Sequence, residues 1–158
     1  MVIKDITAAD VSGDYETREI TFHDGSTRTV LVVDEEVPYP DGRLIVSVTD
    51  LEGRITECNK SFVDMSAYSR EELIGAQQCI LRHPDIPSEI YADLWSTIKV
   101  GNKWQGYIKN LRKDGRYYWV LATIIPTVRD GEIVGYASVR RKPSRKKIEE
   151  FVAQHLSA

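Results

Sequence analysis

Asp-Gly pairs between runs of β-forming residues constrain the fold of this chain more than any other feature of its sequence. They stand at Asp24-Gly25, Asp114-Gly115 and Asp130-Gly131. Both residue types tolerate the positive φ angles of tight hairpin turns, so each pair predicts a connection between two antiparallel strands. The predicted strands around these turns span residues 17–22, 27–33, 104–113, 116–129 and 132–141.

A shorter hairpin and a run of helices are predicted between these two groups of strands. Residues 44–49 and 54–58 have strand character on either side of the turn Asp50–Gly53. Asn59 can cap a short helix, and Ser69 begins an S-x-x-E capping box. A longer helix is predicted from apolar residues at helical spacing, namely Ile90, Tyr91, Leu94, Trp95 and Ile98.

The order of these elements, two strands, several short helices and three long strands, predicts an α+β fold. We expect a five-stranded antiparallel sheet with short helices on one face and a cavity between the two layers. Prolines and a glycine interrupt the strand pattern at residues 37–42, which predicts a linker. The predicted organisation is therefore an N-terminal cap with a β-hairpin at 1–42, a main domain at 43–142 and a C-terminal linker helix at 143–158.

One stripe of the predicted C-terminal helix is apolar. Its members are Ile148, Phe151, Val152, His155 and Leu156. Such a stripe packs either on the sheet of its own domain or on another chain, and the sequence leaves both arrangements open. Basic residues at 140–142 and 145–147 lie at the helix N-terminus, where they oppose the helix dipole, so we expect this junction to fray easily.

Composition and charge argue against several classes of function. The 158 residues include 21 basic and 24 acidic side chains, and the net charge of −3 gives no general attraction to nucleic acid. No apolar run is long enough to cross a bilayer and no signal peptide is present, so we expect a cytoplasmic protein without direct membrane insertion. Cys58 and Cys79 lack the spacing of zinc or redox sites and are expected to be buried thiols. Catalytic triads, paired carboxylates and phosphate-binding loops are not recognisable, so we expect neither an enzyme nor a metal site.

The motifs of the main domain resemble those of PAS domains, a family of sensory modules. Residues Thr49–Ile55 followed by Cys58–Phe62 are similar to the family's D-x-x-G-x-I-x-x-x-N-x-x-F opening. Lys113–Gly115 followed by Tyr118–Val120 is similar to its K-D-G-x-x-x-W-v turn, and Gly131–Arg140 is similar to its closing strand. Every element stands in the family's order, so the resemblance implies the PAS fold and a role in signal transduction.

Three segments resemble, more narrowly, the FAD-binding PAS domain of bacterial aerotaxis receptors. They are residues 81–87, 91–95 and 108–113, and the run Arg82-His83-Pro84-Asp85 is the most specific part. The resemblance implies a redox or oxygen sensor that reports the state of electron transport to a chemotaxis signalling domain. Neither a membrane anchor nor a methyl-accepting domain is recognisable in these 158 residues, so the expected partner is a chemoreceptor in a separate chain. A homodimer is also expected, as for other PAS domains.

The expected site is a set of side chains that could hold a flavin. Its members are Asn59, Arg82, His83, Asp85, Tyr91, Trp95 and Asn110. Asn110 shares a strand face with Gly106 and Ile108, and its carboxamide can both donate to and accept from the polar edge of the ring. Gly106 and Ala122 are expected to make room for that ring. The Arg82 to Asp85 run precedes a helix start, where cations and free backbone amides can bind phosphate or a ring oxygen.

Several of these residues also have a structural interpretation, which the sequence leaves open. Asn59 and Asp85 can cap helices, and His83 can bind the backbone. Trp95 can be a core residue, and the carboxamide of Asn110 can be satisfied by backbone groups.

Two further expectations concern how the site would respond to its ligand. His83 is the residue whose charge could follow the redox state near neutral pH. Arg140 or Ser138, on the last strand, is a weaker candidate for sensing protonation of the ring.

Other cofactors and roles stay open at this point. FMN could replace FAD, haem with His83 as axial ligand would make a gas sensor, and a ligand-free domain would serve dimerisation or interaction alone. Photochemistry of the kind found in light-sensing flavin PAS domains is not expected. In that group a reactive Cys stands three residues after a Gly, whereas Cys79 stands four after Gly75, and the flanking Asn, Arg and Gln are missing.

Overall fold

A computed structural model describes residues 3–156 of the chain and confirms the predicted succession of elements. The strands are β1 (Glu16–Thr21), β2 (Thr27–Val32), β3 (Ile45–Thr49), β4 (Ile55–Cys58), β5 (Trp104–Leu111), β6 (Tyr117–Arg129) and β7 (Glu132–Arg141). The helices are α1 (Lys60–Ser66), α2 (Arg70–Leu73), α3 (Ser88–Lys99) and α4 (Arg145–Phe151). A 3₁₀ turn at Gln78–Leu81 precedes α3, and a π-helical turn at Val152–Leu156 follows α4.

The predicted five-stranded antiparallel sheet is present, with the strand order β4-β3-β7-β6-β5. Its register places Asn110 opposite Tyr118 and Ala122 opposite Arg140. Since side chains alternate between faces along a strand, these four residues share one face of the sheet. We call this the inner face, because its apolar residues pack against α1 and α3.

Local sequence signals account for the ends of several elements. Asn59 Oδ1 accepts the amide of Phe62, 3.1 Å away, at the start of α1. Ser69 and Glu72 form the predicted capping box at the start of α2, each side chain bonding the other's backbone amide. Asp130 has a φ of 51° between β6 and β7, where its short polar side chain makes the left-handed conformation tolerable.

The predicted cavity over Gly106 is filled by a side chain. A Cβ added at Gly106 would lie only 2.5 Å from the ring of Trp104 on the same strand, so the indole lies over the glycine. Trp104 is buried, and its Nε1 donates to Asp93 of α3 at 2.9 Å. The expectation that Gly106 leaves open space is therefore wrong for this conformation, because the glycine accommodates Trp104.

The N-terminal hairpin, β1 and β2, packs against the edge of the main sheet. Ile20, Phe22 and Val30 form a second apolar cluster together with Leu111 at the end of β5. Buried Arg28 ties the hairpin to the 3₁₀ turn by donating to the carbonyl oxygen of Ile80 at 2.7 Å. The predicted cap thus covers one end of the sheet and the turn that precedes α3.

The segment predicted as a linker is anchored along part of its length. Val37 donates its amide to the carbonyl of Tyr117 at 2.7 Å, and the side chain of Tyr39 is buried. The Tyr39 hydroxyl lies 2.8 Å from the carbonyl oxygens of both Arg43 and Arg140. These contacts hold residues 37–39 against the start of β6 and the end of β7.

Helix α4 packs on the sheet of its own domain, which is one of the two arrangements that its apolar stripe left open. Ile148 is buried there, and the ring of Phe151 lies 5.9 Å from Trp119 and 6.2 Å from Tyr107. These strand residues alternate with those of the inner face, so α4 covers part of the opposite, outer face. Within residues 3–156, the helices are too short or too polar to cross a bilayer.

Candidate functional site

The structure brings Arg82 and Asn110 together and separates His83 from them. Arg82 forms an isolated antiparallel bridge with Asn110, so their side chains leave the backbone on the same side. The next residue, His83, lies with its ring edge-on to Tyr117 at 6.0 Å, and Tyr117 alternates with Tyr118 of the inner face. The most specific run of the sequence therefore sends its side chains to both faces of the sheet.

A group of polar side chains lies buried on the otherwise apolar inner face. We call it the inner polar set, and its members are Ser47, Asn110, Tyr118, Ser138 and Arg140. Arg140 Nη2 donates to Ser47 Oγ at 3.1 Å, and the guanidinium carbon lies 5.0 Å from the ring centre of Phe62. Arg140 Nη1, Tyr118 Oη and Ser138 Oγ have no hydrogen-bond partner among residues 3–156. Buried polar atoms are almost always paired in proteins, so these three indicate a place for a ligand.

The inner polar set carries one positive charge. Arg140 is 4% exposed, burial lowers its pKa, and no carboxylate in the described part of the chain forms an ion pair with it. Burial raises the pKa of Tyr118 to about 12, against the opposing effects of Arg140 and Asn110, so the phenol is neutral at pH 7. A cation and neutral donors suit a ligand edge rich in carbonyl oxygens, and they fit the pyrimidine edge of a flavin.

His83 is buried and neutral. Its Nδ1 accepts the backbone amide of Asp85 at 3.0 Å, as the structural interpretation predicts. Burial, followed by the nearby charge of Lys109, holds the pKa of the imidazole well below its ordinary value. The expectation that the charge of His83 follows redox state near neutral pH is therefore not supported, because the ring stays unprotonated there.

Asp85 is an ion-pair residue and does not cap α3. Its carboxylate accepts from Lys109 Nζ at 2.9 Å and from Arg18 Nη1 at 3.2 Å. The N-cap position of α3 is Pro87, which provides no side-chain hydrogen bond, so the capping interpretation is wrong. The ammonium of Lys109 also lies 4.1 Å from the ring centre of Tyr117. Asp85 thus links the N-terminal hairpin to the outer face of the sheet.

Tyr91 and Trp95, both on α3, lie in different surroundings. Arg82 stacks on Tyr91 with its guanidinium carbon 4.6 Å from the ring centre, and the buried Tyr91 hydroxyl lacks a partner within residues 3–156. Trp95 packs edge-on against Tyr136, with the ring centres 5.7 Å apart. Tyr136 pairs with Pro126, whereas Asn110 pairs with Tyr118. These two positions of β6 are eight residues apart, a distance of about 26 Å along the strand. Trp95 and Asn110 would therefore contact different parts of an extended dinucleotide.

Asn59 and Cys79 have structural roles in the described fold. The carboxamide of Asn59 accepts the amides of Val46 and Phe62 and donates to the carbonyl of Leu44. Cys79 packs against the apolar cluster of the hairpin, and burial raises the pKa of its thiol to about 11. The thiol is therefore protonated at neutral pH and a poor nucleophile.

Sequence reasoning missed Ser47 and Tyr118 as members of the inner polar set. The period-two pattern of their strands could have identified them, because each lies an even number of residues from apolar residues of the same face. No group of three or more His, Cys, Asp or Glu side chains within the described residues is placed to hold a metal ion.

Acid should weaken the fold through His83. The pKa of the folded imidazole is below the unfolded value of about 6.5, so below that pH only the unfolded chain takes up the proton and stability falls. The slope approaches about 1.4 kcal/mol per pH unit, and the loss amounts to about 2 kcal/mol between pH 7 and 5. Urea unfolding from pH 7 to pH 5 measures this loss. The His83→Asn variant keeps an acceptor for Asp85 but does not titrate, and parallel pH profiles for the two proteins would contradict the assignment.

Comparison with known proteins identifies relatives of this chain. The chain is 42% identical over 117 residues to the aerotaxis receptor of Escherichia coli K12, which covers 74% of this chain and 23% of the receptor. It spans about a quarter of the length of that relative. A solved PAS domain from Colwellia psychrerythraea is 30% identical, with a TM-score of 0.58 over 65% of this chain and 87% of that one.

A second solved structure shares the fold at lower identity. It is the light state of the blue-light photoreceptor Aureochrome1 LOV, 22% identical, with a TM-score of 0.64 over 70% of this chain and 89% of that one. The sequence pattern of the PAS fold family matches residues 43–141. Together with the sheet order and the helices over its inner face, this match shows that the chain belongs to the PAS family.

Proposed function

We propose that this PAS domain binds FAD between the inner face and the helices and acts as a redox or oxygen sensor. The observation that carries the proposal is buried Arg140, which has no carboxylate partner in the described structure and an unpaired Nη1 beside the unpaired Ser138 Oγ. The 42% identity to the aerotaxis receptor supports the same class of function. The role that we propose for this domain is signalling, without catalysis.

The residues of the inner face would hold the ring, and the segment before α3 would hold the phosphates. Asn110, buried on the face with Ile108 and Val120, offers a carboxamide to the polar edge of the ring. Arg82, on the same side, offers a guanidinium near the start of α3. A bound flavin supplies reversible uptake of electrons and protons.

The output would leave through β7 and α4. Arg140 belongs to β7, and α4 begins four residues after that strand ends, at Arg145. A change in hydrogen bonding at Asn110 or Arg140 would shift β7 and with it the packing of Phe151 on Trp119. We propose a cytoplasmic homodimer that signals to a chemoreceptor in a separate chain.

Two alternatives make different predictions about bound ligand. Haem ligation by His83 is disfavoured, because Nδ1 accepts the amide of Asp85, which leaves the imidazole proton on Nε2, and because the ring lies toward the outer face with Tyr117. A ligand-free interaction domain has one observation in its favour, the indole of Trp104 packed over Gly106. Uptake of FAD would require that indole to move.

The purified chain should be yellow or take up added FAD, with a flavin spectrum and no Soret band. Replacing Asn110 with Ala should weaken FAD retention about tenfold, because one hydrogen bond to the ring edge is lost. An absorbance spectrum with mass identification of the released ligand tests the first expectation. Equilibrium dialysis with FAD measures the change in retention.

Asn102→Ala is the matched control, since Asn102 is exposed in the loop after α3. A colourless protein that takes up no FAD would overturn the proposed function. Unchanged flavin retention and redox midpoint in Asn110→Ala would remove Asn110 from the site.

A further inference from the structure

We infer that Arg140 makes the site favour the reduced, anionic form of the flavin over the oxidised, neutral form. The inference rests on the proposed function and adds the direction in which the site shifts the midpoint potential of the flavin. A site that binds the reduced ring more tightly than the oxidised ring raises that potential. Two-electron reduction by dithionite with uptake of one proton, as in the test below, would leave a bound flavin with one negative charge. The proposal concerns where that charge is stabilised.

The charge of Arg140 persists at pH 7 in spite of its burial. A guanidinium stays protonated in proteins, so the lowering of its pKa by burial leaves the cation in place. A buried cation without a counter-charge is unfavourable relative to a paired one. An anion beside Arg140 would relieve this, whereas a neutral ring relieves only part of it.

The hydrogen bonds around Arg140 leave donors for such an anion. Ser47 Oγ accepts a hydrogen bond from Nη2 of Arg140 and itself donates to Gln78 Oε1 at 3.1 Å. One arm of the guanidinium is therefore fixed. The other arm, Nη1, has no acceptor among the described residues, and neither bond of Ser138 Oγ is made. The free N–H groups of a fixed guanidinium and a free hydroxyl form the kind of site that binds an oxyanion or an enolate-like edge.

The titratable groups that act on the charge of Arg140 are two phenols, those of Tyr118 and Tyr39. Tyr118 is held neutral by burial. A negative counter-charge for Arg140 would therefore be supplied by a bound anionic ligand.

Redox titration of the flavin-loaded chain with dithionite and a reference dye tests the inference. Arg140→Met should lower the ratio of affinities for reduced and oxidised flavin at least tenfold, which is about 30 mV for a two-electron couple. Arg140→Lys should keep most of the preference because it keeps the charge. Arg140→Gln removes the charge but keeps an amide donor for Ser47, so it carries the test if the Met variant does not fold.

Arg141→Met is the matched control, because Arg141 is exposed and points to the outer face. An unchanged midpoint in a neutral Arg140 variant that still binds flavin would overturn this inference and leave the proposed function intact. A wild-type chain that takes up no flavin would overturn both. The redox midpoint of the bound flavin, not the activity of a partner, is the readout throughout.

Discussion

Replacing Arg28 with Met is expected to lower the free energy of unfolding by about 3 kcal/mol or more. Arg28 is 2% exposed, and its guanidinium donates to Lys4 O, Ile80 O and Tyr68 Oη at 2.9, 2.7 and 2.9 Å. Met fills similar volume but donates nothing, so three buried or half-buried acceptors lose their partner. Hydrogen bonds to charged groups contribute about 1.5–3 kcal/mol each, and an acceptor left unpaired in the interior adds a desolvation penalty.

Urea unfolding of the Arg28→Met and wild-type chains measures this loss. Arg43→Met serves as the control, since Arg43 is exposed and its replacement should change stability by no more than about 0.5 kcal/mol. Limited proteolysis shows which part of the chain loses its structure, because a detached hairpin would be cut within β1 or β2. Equal stability of the Arg28 variant and the wild type would show that the hairpin does not depend on this residue.

Replacing Gly135 with Ala is expected to disrupt the pairing of β3 with β7, at a cost of about 3 kcal/mol. The added Cβ would lie less than 3.0 Å from the carbonyl oxygen of Thr49, which is backbone and cannot rotate away. Thr49 pairs with Tyr136, the residue after Gly135. The same pairing sets Ser47 opposite Ser138, so a shift here would also disturb the inner polar set.

The matched control for this variant is Gly131→Ala, in the turn between β6 and β7. A Cβ at Gly131 would meet nothing within 4 Å, but its φ of +80° strains any other residue by about 1–2 kcal/mol. Gly135→Ala should therefore be the more destabilising of the two in urea and should also lose flavin. If Gly131→Ala proved equally costly, backbone strain and not the clash with Thr49 would be the limiting factor.

Most of the secondary structure was predictable because its signals are local. The Asp-Gly turns and the period-two alternation fixed the strands of the main sheet, and the caps at Asn59 and Ser69 act within three residues along the chain. The face that carries Asn110 followed from alternation alone. These predictions need no knowledge of what lies across the fold.

The site was less predictable because its geometry depends on contacts between distant residues. Asp85 is bonded to Arg18, 67 positions earlier, and no local pattern indicates that pair. His83 and Arg82 point to opposite sides, but the segment is irregular in sequence and has no period from which either face could be predicted. That Nη1 of Arg140 has no partner can be seen only when all neighbours of the side chain are known. The same holds for the packing of Trp104 over Gly106.

The first and last segments around the main sheet are held together at one place. Glu36 pairs with Arg145 and Asp41 with Lys142, while Tyr39 bridges the carbonyls of Arg43 and Arg140. Residues 36–145 therefore form a nearly closed circuit whose two ends lie side by side, the arrangement that makes domains tolerant of insertion into other proteins. A displacement at one end of this stretch would therefore be transmitted to the other, because ion pairs join the two ends.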